Sequence, residues 1–210
     1  MTQTRCDDDV LTVPAVTQAR GTVKLPGSKS ISNRALLLAA LCTQRTRLTG
    51  LLQAEDTERM LDSLHLLGAS IEQNAEECTI ALGNDFPLHE AELFVGNAGT
   101  VSRMLTAFLA FAGGAYRLDG VKRMRERPIA DLVDALRDIG GRIEYTGQVG
   151  CLPLRILPGR LVSDTARVRG NVSSQFLTAL LLASVGWART LNRPFHIQIL
   201  GNLISRPYVE

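Results

Sequence analysis

Cysteine, histidine and aromatic side chains are all scarce in this 210-residue chain, and each scarcity removes a class of function. The four cysteines, Cys6, Cys42, Cys78 and Cys151, are scattered, which excludes a disulfide scaffold and fits a reduced, cytoplasmic setting. Cys42 and Cys78 fall in apolar elements and read as core. His65, His89 and His196 form no pair at ligand spacing, so a transition-metal site is not expected. With 5% aromatic residues there is little material for stacking nucleic-acid bases. A net charge of +2 gives no general pull toward nucleic acid or membrane surfaces. No apolar run is long enough to span a bilayer. The start of the chain, with Asp7-Asp8-Asp9, lacks the cationic stretch and apolar run of a signal peptide. No Gly-x-x-x-x-Gly-Lys-Ser/Thr spacing occurs, so a nucleotide phosphate loop is not expected.

What the chain does have is a long internal repeat. Three segments follow one plan: a strand-like run, a Gly/Ser/Asn loop, then a helix apolar on all sides. The strands are Gly21–Leu25, Ala91–Val95 and Thr165–Arg169. The loops are Leu25-Pro26-Gly27-Ser28-Lys29-Ser30-Ile31-Ser32-Asn33-Arg34, Gly96-Asn97-Ala98-Gly99-Thr100-Val101-Ser102-Arg103 and Gly170-Asn171-Val172-Ser173-Ser174-Gln175. The helices run through Ala35–Leu41, Met104–Phe111 and Phe176–Ala183. A short strand ending in glycine follows each, at Gly50, Gly120 and Gly201. A one-faced helix comes next, with Met60, Leu61, Leu64 and Leu67 in the first copy. The second copy has Ile129, Leu132, Val133, Leu136 and Ile139. Gly68 and Gly140 stop these helices, and two strands close each copy. The unit reads β-α-β-α-β-β and the class is α/β. The third copy reaches only Ser205-Arg206-Pro207-Tyr208-Val209-Glu210, parallel to Glu126-Arg127-Pro128-Ile129. The expectation is an incomplete third unit, in a fragment or in a chain completed by another.

Helices apolar all round belong inside and one-faced helices outside. Three inner helices then lie roughly parallel about a pseudo-threefold axis, with their N-termini at one end. A helix N-terminus carries about half a positive charge. Lys29, Arg34, Arg103 and Arg127 add cations to those ends, the wrong sign unless an anion sits in front of them. The sequence thus predicts an electropositive mouth lined by Ser30, Thr100, Ser173 and Ser174. Arg127-Pro128 is read as the start of a helix, with proline at its first position. Arg103 reads either as a ligand cation or as half of a structural ion pair. Ser173 and Ser174 read as ligand contacts or as plain N-caps. Asn97 and Gly99 read as ligand contacts or as turn formers.

The motifs at 25–34, 96–100, 125–129 and 172–179 together resemble the 3-phosphoshikimate 1-carboxyvinyltransferase (EPSP synthase) family of enolpyruvyl transferases. The resemblance runs from about Leu11 to Glu210, in order. It implies an inside-out α/β barrel-like domain of three repeats, one of two such domains with the active site in the cleft between them. Residues 1–26 would be an N-terminal segment and crossover that packs with the second domain. Residues 27–210 would be the substrate-binding domain, incomplete at its C-terminus, and the second domain is absent.

The implied reaction moves an enolpyruvyl group from phosphoenolpyruvate to the 5-hydroxyl of shikimate 3-phosphate, without metal or organic cofactor. Implied partners are those two anions and the missing domain, not nucleic acid or membrane. By this resemblance Lys29 is catalytic and, with Arg127, holds the phosphoenolpyruvate phosphate, with Gly99 and Asn97 close by. Ser30 and Arg34 hold the carboxylate end of shikimate 3-phosphate. Ser173, Ser174 and Ser205 take its phosphate, Gln175 lies between the substrates, and Tyr208 packs near the ring. Met104 stands where the family usually has proline, under the phosphoenolpyruvate loop. The family's proton-transferring carboxylates, needed for general acid–base catalysis, have no counterpart in the chain. The expectation is a half that binds shikimate 3-phosphate without efficient turnover. A sibling, UDP-N-acetylglucosamine enolpyruvyl transferase, is disfavoured because residues 112–127 lack its reactive cysteine. A non-catalytic phosphate-binding module is the reading from another class.

Overall fold

The computed structural model describes residues 6–7, 10–11, 15, 18, 20–42, 44–74, 77–83, 86–171, 173–203 and 209. Two short strands, β1 (Cys6–Asp7) and β2 (Val10–Leu11), pair antiparallel. Then come α1 (Lys29–Ala39), β3 (Thr46–Thr49), α2 (Glu55–Leu66), β4 (Ala69–Gln73) and β5 (Glu77–Leu82). The second unit has β6 (Glu90–Phe94), α3 (Gly99–Leu109), β7 (Ala115–Asp119), a 3-10 turn (Met124–Glu126), α4 (Ala130–Asp138), β8 (Arg142–Tyr145) and β9 (Leu154–Leu157). The chain continues with β10 (Thr165–Arg169), α5 (Ser174–Leu191) and β11 (His196–Leu200). The class is mixed α/β.

The second unit forms a four-stranded sheet of order β6-β7-β9-β8, in which β6 and β7 run parallel from Glu90 opposite Ala115 to Phe94 opposite Asp119. β10 and β11 repeat that parallel pairing, from Thr165 opposite His196 to Arg169 opposite Leu200. The first unit differs. Its sheet is β3-β5-β4, wholly antiparallel, and β3 is an edge. The strand expected at 21–25 is absent: Val23 and Leu25 alternate correctly but are 79% and 80% exposed. Alternation alone does not hold a strand that neither pairs nor buries a face.

The one-faced helices behave as their spacing predicts. Met60, Leu64 and Leu67 of the first unit, and Ile129, Leu132, Val133, Leu136 and Ile139 of the second, are fully buried. Each such aliphatic side chain contributes roughly 1.5–3 kcal/mol of transfer free energy. Gly68 (φ +99°) and Gly140 (φ +103°) stop these helices in the left-handed region, where a Cβ is penalised. One start is corrected. Pro128 is not the first residue of α4, because Ile129 is held outside the helix by its N–H to the Gly150 carbonyl (2.8 Å), with φ −138°.

The three helices read as apolar all round differ from one another. Only α3 is enclosed, with every residue but Phe108 buried. Ile31 and Leu38 of α1 are 67% and 41% exposed, and Leu181 and Val185 of α5 are 38% and 41% exposed. The reason is packing: α3 touches α1, α2, α4, α5 and β7, whereas α5 has no second helix of its own unit among the described residues. Cys42, expected in the core, is exposed in the turn beyond α1, while Cys78 and Cys151 are buried.

Candidate anion-binding site at three helix starts

The three helices run in the same direction, as side-chain contacts toward both ends indicate. Near the N-termini, Arg34 on α1 donates from Nη2 to Thr178 Oγ1 on α5 (3.3 Å). The Arg103 guanidinium of α3 lies over the Phe176 ring of α5, 5.5 Å from its centre. Near the C-terminal ends, Arg189 of α5 donates to the Leu41 carbonyl (3.3 Å) just past α1. There the Phe111 ring, just past α3, meets Trp187 of α5 edge-on at 5.3 Å. Early residues meet early residues and late meet late. The positive ends of the three helix dipoles therefore gather on one side.

Each start is built differently. Ser28 caps α1, accepting from the Ile31 N–H (3.4 Å), which makes Lys29 and Ser30 the first two helical residues. Arg34 folds back so that Nη1 donates to the Ser30 carbonyl (2.8 Å). Ser173 caps α5, accepting from the Gln175 N–H (3.2 Å), and Ser174 and Gln175 begin the helix, all three half-buried. Ser173 is thus an N-cap, while its neighbour Ser174 has no such duty. α3 starts at Gly99 after Ala98, with no side-chain cap on its first turn. An uncapped first turn of backbone N–H groups is a ready anion contact.

Cations stand around that turn. Arg127 leaves the 3-10 turn in extended backbone and donates from Nη1 to the Asn97 carbonyl (3.0 Å). It faces the start of α3, not that of α4 as the sequence suggested. Its neighbours are already committed: Arg123 pairs with Glu126 at 3.0 Å, and Arg125 grips Asp119 with two bonds of 2.7 and 2.8 Å. Arg127 has no ion-pair partner among the described residues. Gly99 is required sterically, since a Cβ there would sit 2.5 Å from both Arg103 Nη1 and Arg127 Cζ.

Two features escaped the sequence reading. Lys29 pairs with Asp56 at 3.3 Å, in the first turn of α2. The signal was present, since Glu55, Asp56 and Glu58 mark a helix start, but nothing in the sequence aims that turn at α1. Arg103 is 5% exposed and forms no ion pair among the described residues, so the structural ion-pair reading is corrected. It donates to the Gly99 carbonyl (2.7 Å) and the Pro128 carbonyl (2.8 Å). Burial first, then the nearby Arg127 charge, lowers its pKa to about 10. Ser205 and Tyr208 lie outside the described residues.

A cavity of about 670 Å³ lies elsewhere, lined by Arg117, Lys122, Arg125, Gln148 and their neighbours. Its arginines are paired with carboxylates, Arg125 with Asp119 and Arg117 with both Asp119 and Glu92. Among the described residues no cluster of His, Cys, Asp and Glu could hold a metal ion, and no helix is long and apolar enough to cross a membrane.

Residues 13–210 match the family described as EPSP synthase (3-phosphoshikimate 1-carboxyvinyltransferase). The chain belongs to the EPSP synthase family. The 3-phosphoshikimate 1-carboxyvinyltransferase of Bordetella petrii is 55% identical over 202 residues, covering 95% of this chain and 45% of that protein. That of Cupriavidus taiwanensis is 52% identical over 202 residues, covering 95% of this chain and 46% of that protein. The chain therefore spans under half the length of these EPSP synthase relatives. Among solved structures, an EPSP synthase from Acinetobacter baumannii superposes with a TM-score of 0.69 at 29% identity, over 78% of this chain and 37% of that one.

Proposed function

We propose that this chain is the N-terminal half of an enzyme that transfers the enolpyruvyl group of phosphoenolpyruvate to the 5-hydroxyl of shikimate 3-phosphate. The single observation that carries the reading is the gathering of the α1, α3 and α5 starts, with Lys29, Arg34 and Arg127 around them, in a member of this family. Two anionic substrates are the ligands such an end can hold.

In this reading the 5-hydroxyl gives up its proton as its oxygen adds to C2 of phosphoenolpyruvate, and the C2–C3 double bond is consumed as C3 takes up a proton. The tetrahedral intermediate then loses phosphate from C2 and a proton from C3, which leaves the enol ether. Lys29 is the catalytic cation and, with Arg127 and the Gly99 turn, stabilises charge on the phosphate that leaves. Ser30 and Arg34 hold the shikimate carboxylate, where the planar guanidinium suits two parallel hydrogen bonds. Ser173, Ser174 and Ser205 hold its phosphate, Gln175 separates the two ligands, and Tyr208 packs near the ring. Asp56 holds Lys29 until an anion competes for it. The groups that move protons belong to the second domain.

We further propose the architecture behind this. Residues 27–210 form a barrel-like array of three β-α-β-α-β-β units around parallel inner helices, with the third unit incomplete. Residues 1–26 pack with the second domain, a reading that the exposure of Val23 and Leu25 supports. A cytoplasmic setting agrees with the free Cys42, Cys78 and Cys151.

The test is complementation. Purified chain is mixed with the C-terminal half of a relative, and phosphate release from the two substrates is followed. The mixture should turn over and neither half alone should. Turnover by this chain alone, or none from a mixture shown to associate, would refute the proposal.

A further inference from the structure

Arg103 is a cation in the wrong place for a surface charge. It is 5% exposed, on the enclosed helix α3, and faces the Phe176 ring rather than a carboxylate. Burying an ion without a counter-ion is unfavourable unless hydrogen bonds and a nearby opposite charge compensate. The hydrogen bonds are present and they are specific. Nη1 donates to the Gly99 carbonyl at 2.7 Å and Nη2 to the Pro128 carbonyl at 2.8 Å. Gly99 opens the uncapped first turn of α3, and Pro128 directly follows Arg127. One rigid guanidinium thus ties the anion-binding turn to the backbone that carries the surface cation.

We infer that Arg103 is a positioning residue, whose two-carbonyl bridge holds the Arg127 guanidinium at the start of α3 and whose charge completes the anion site from beneath. This rests on the proposed function only for the identity of the anion. Several observations support it. Among the described residues Arg127 keeps a single bond, to the Asn97 carbonyl at 3.0 Å, so its placement depends on the backbone behind it. The Gly99 carbonyl also accepts from Ser102 Oγ at 2.9 Å, which fixes the first peptide of the turn from a second side. The two guanidiniums approach the same point beside Gly99. Burial, and after it the repulsion from Arg127, depresses the Arg103 pKa to about 10, and an anion in front of Arg127 would relieve the second of these.

The experiment compares the 210-residue chain with Arg103→Met and Arg103→Lys by NMR, reading the Arg127 side-chain Nε–H signal and the Asn97–Thr100 amides. Inorganic phosphate is then titrated as the probe. Arg103→Met should shift and broaden the Arg127 signal before any ligand is added. It should weaken phosphate at Arg127 about tenfold, the size expected from losing fixed charge-assisted contacts. Arg103→Lys keeps the charge but reaches only one carbonyl, so it should fall between the two. If Arg103→Met does not fold, Arg103→Lys carries the same readout, because a lysine indistinguishable from wild type at Arg127 overturns the inference. An unchanged Arg127 signal and phosphate affinity in a folded Arg103→Met chain also overturns it. Shikimate 3-phosphate is titrated in parallel. Its shifts at Ser30, Ser173 and Ser174 should persist in both variants, since Arg34 is untouched and α5 loses only the contact of the Phe176 ring with the guanidinium. Absence of those shifts in wild type would count against the proposed function and leave the Arg103 result standing.

Discussion

Adding one carbon at Gly99 should separate stability from anion binding. Gly99 sits in ordinary helical backbone at the first position of α3, so alanine introduces no φ strain. Helical Gly→Ala is itself favourable by about 0.5–1 kcal/mol. The new Cβ, however, would lie 2.5 Å from Arg103 Nη1 and from Arg127 Cζ, so both guanidiniums must retreat by nearly 1 Å to reach ordinary contact. Arg103 is buried and held by bonds of 2.7 and 2.8 Å, whereas Arg127 is half-buried and held by one of 3.0 Å. Arg127 gives way readily, while Arg103 can move only by straining its two bonds. Losing the Arg127 bond to Asn97 costs about 1.5 kcal/mol, at the low end for a charged donor because the site is open to water. The helix gain offsets part of that and the strain on Arg103 adds to it, so the free energy of urea unfolding should stay within about 2 kcal/mol of wild type. Binding should not be spared, because a displacement of this size at a ligand contact can lower effectiveness by up to ~100-fold. Calorimetric titration with inorganic phosphate or phosphoenolpyruvate should show a loss of at least about tenfold. Unchanged affinity in a folded Gly99→Ala chain would refute the argument that Arg127 and this turn hold the anion.

Asp56→Asn should free Lys29 and strengthen phosphate binding severalfold. It should change stability by less than about 1 kcal/mol, since the pair is largely exposed, and the gain should shrink as salt is raised. Thr178→Val should loosen Arg34 and weaken shikimate 3-phosphate in a calorimetric titration, with about 1 kcal/mol lost in urea unfolding. Leu136→Ala on the buried face of α4 should cost about 2–5 kcal/mol in urea unfolding without altering the residues of the anion site. Burial holds the Tyr116 phenol above its ordinary value of 10, so the unfolded chain loses that proton first. Stability from this source is complete below pH 10 and declines as pH rises beyond it. Tyr116→Phe removes a buried hydroxyl with no partner among the described residues. It should leave the chain equally or more stable at pH 7, by up to about 1 kcal/mol, with a shallower alkaline decline in melting temperature.

The features that survived from sequence to structure are those set by local chemistry. Ser173, read as a ligand contact or an N-cap, caps α5 because its hydroxyl stands at the helix start and accepts from the Gln175 N–H, and Gly68 and Gly140 stop helices because they adopt positive φ. The spacing of Leu132, Val133 and Leu136 reports a buried face directly. What failed depended on neighbours. Val23 and Leu25 carry a strand pattern, but pairing needs a second strand beside β3, which no property of residues 21–25 supplies. Leu38 and Val185 look like core residues, yet their exposure is decided by elements packed against α1 and α5. Cys42 is exposed because the helix ended before it. At the site, the cations near helix starts were legible because their sign opposes the dipole. The Arg103 bridge was not, because its partners are two carbonyls whose positions carry no sequence signature.

The most direct measurement of the central claim is a titration of the chain with shikimate 3-phosphate, followed by amide NMR. If the α1 and α5 starts share one anion cradle, shifts should cluster at Ser30, Arg34, Ser173, Ser174, Gln175 and Ser205, three stretches of sequence far apart in the chain. A flat response at millimolar ligand, or shifts confined to one helix start, would contradict it.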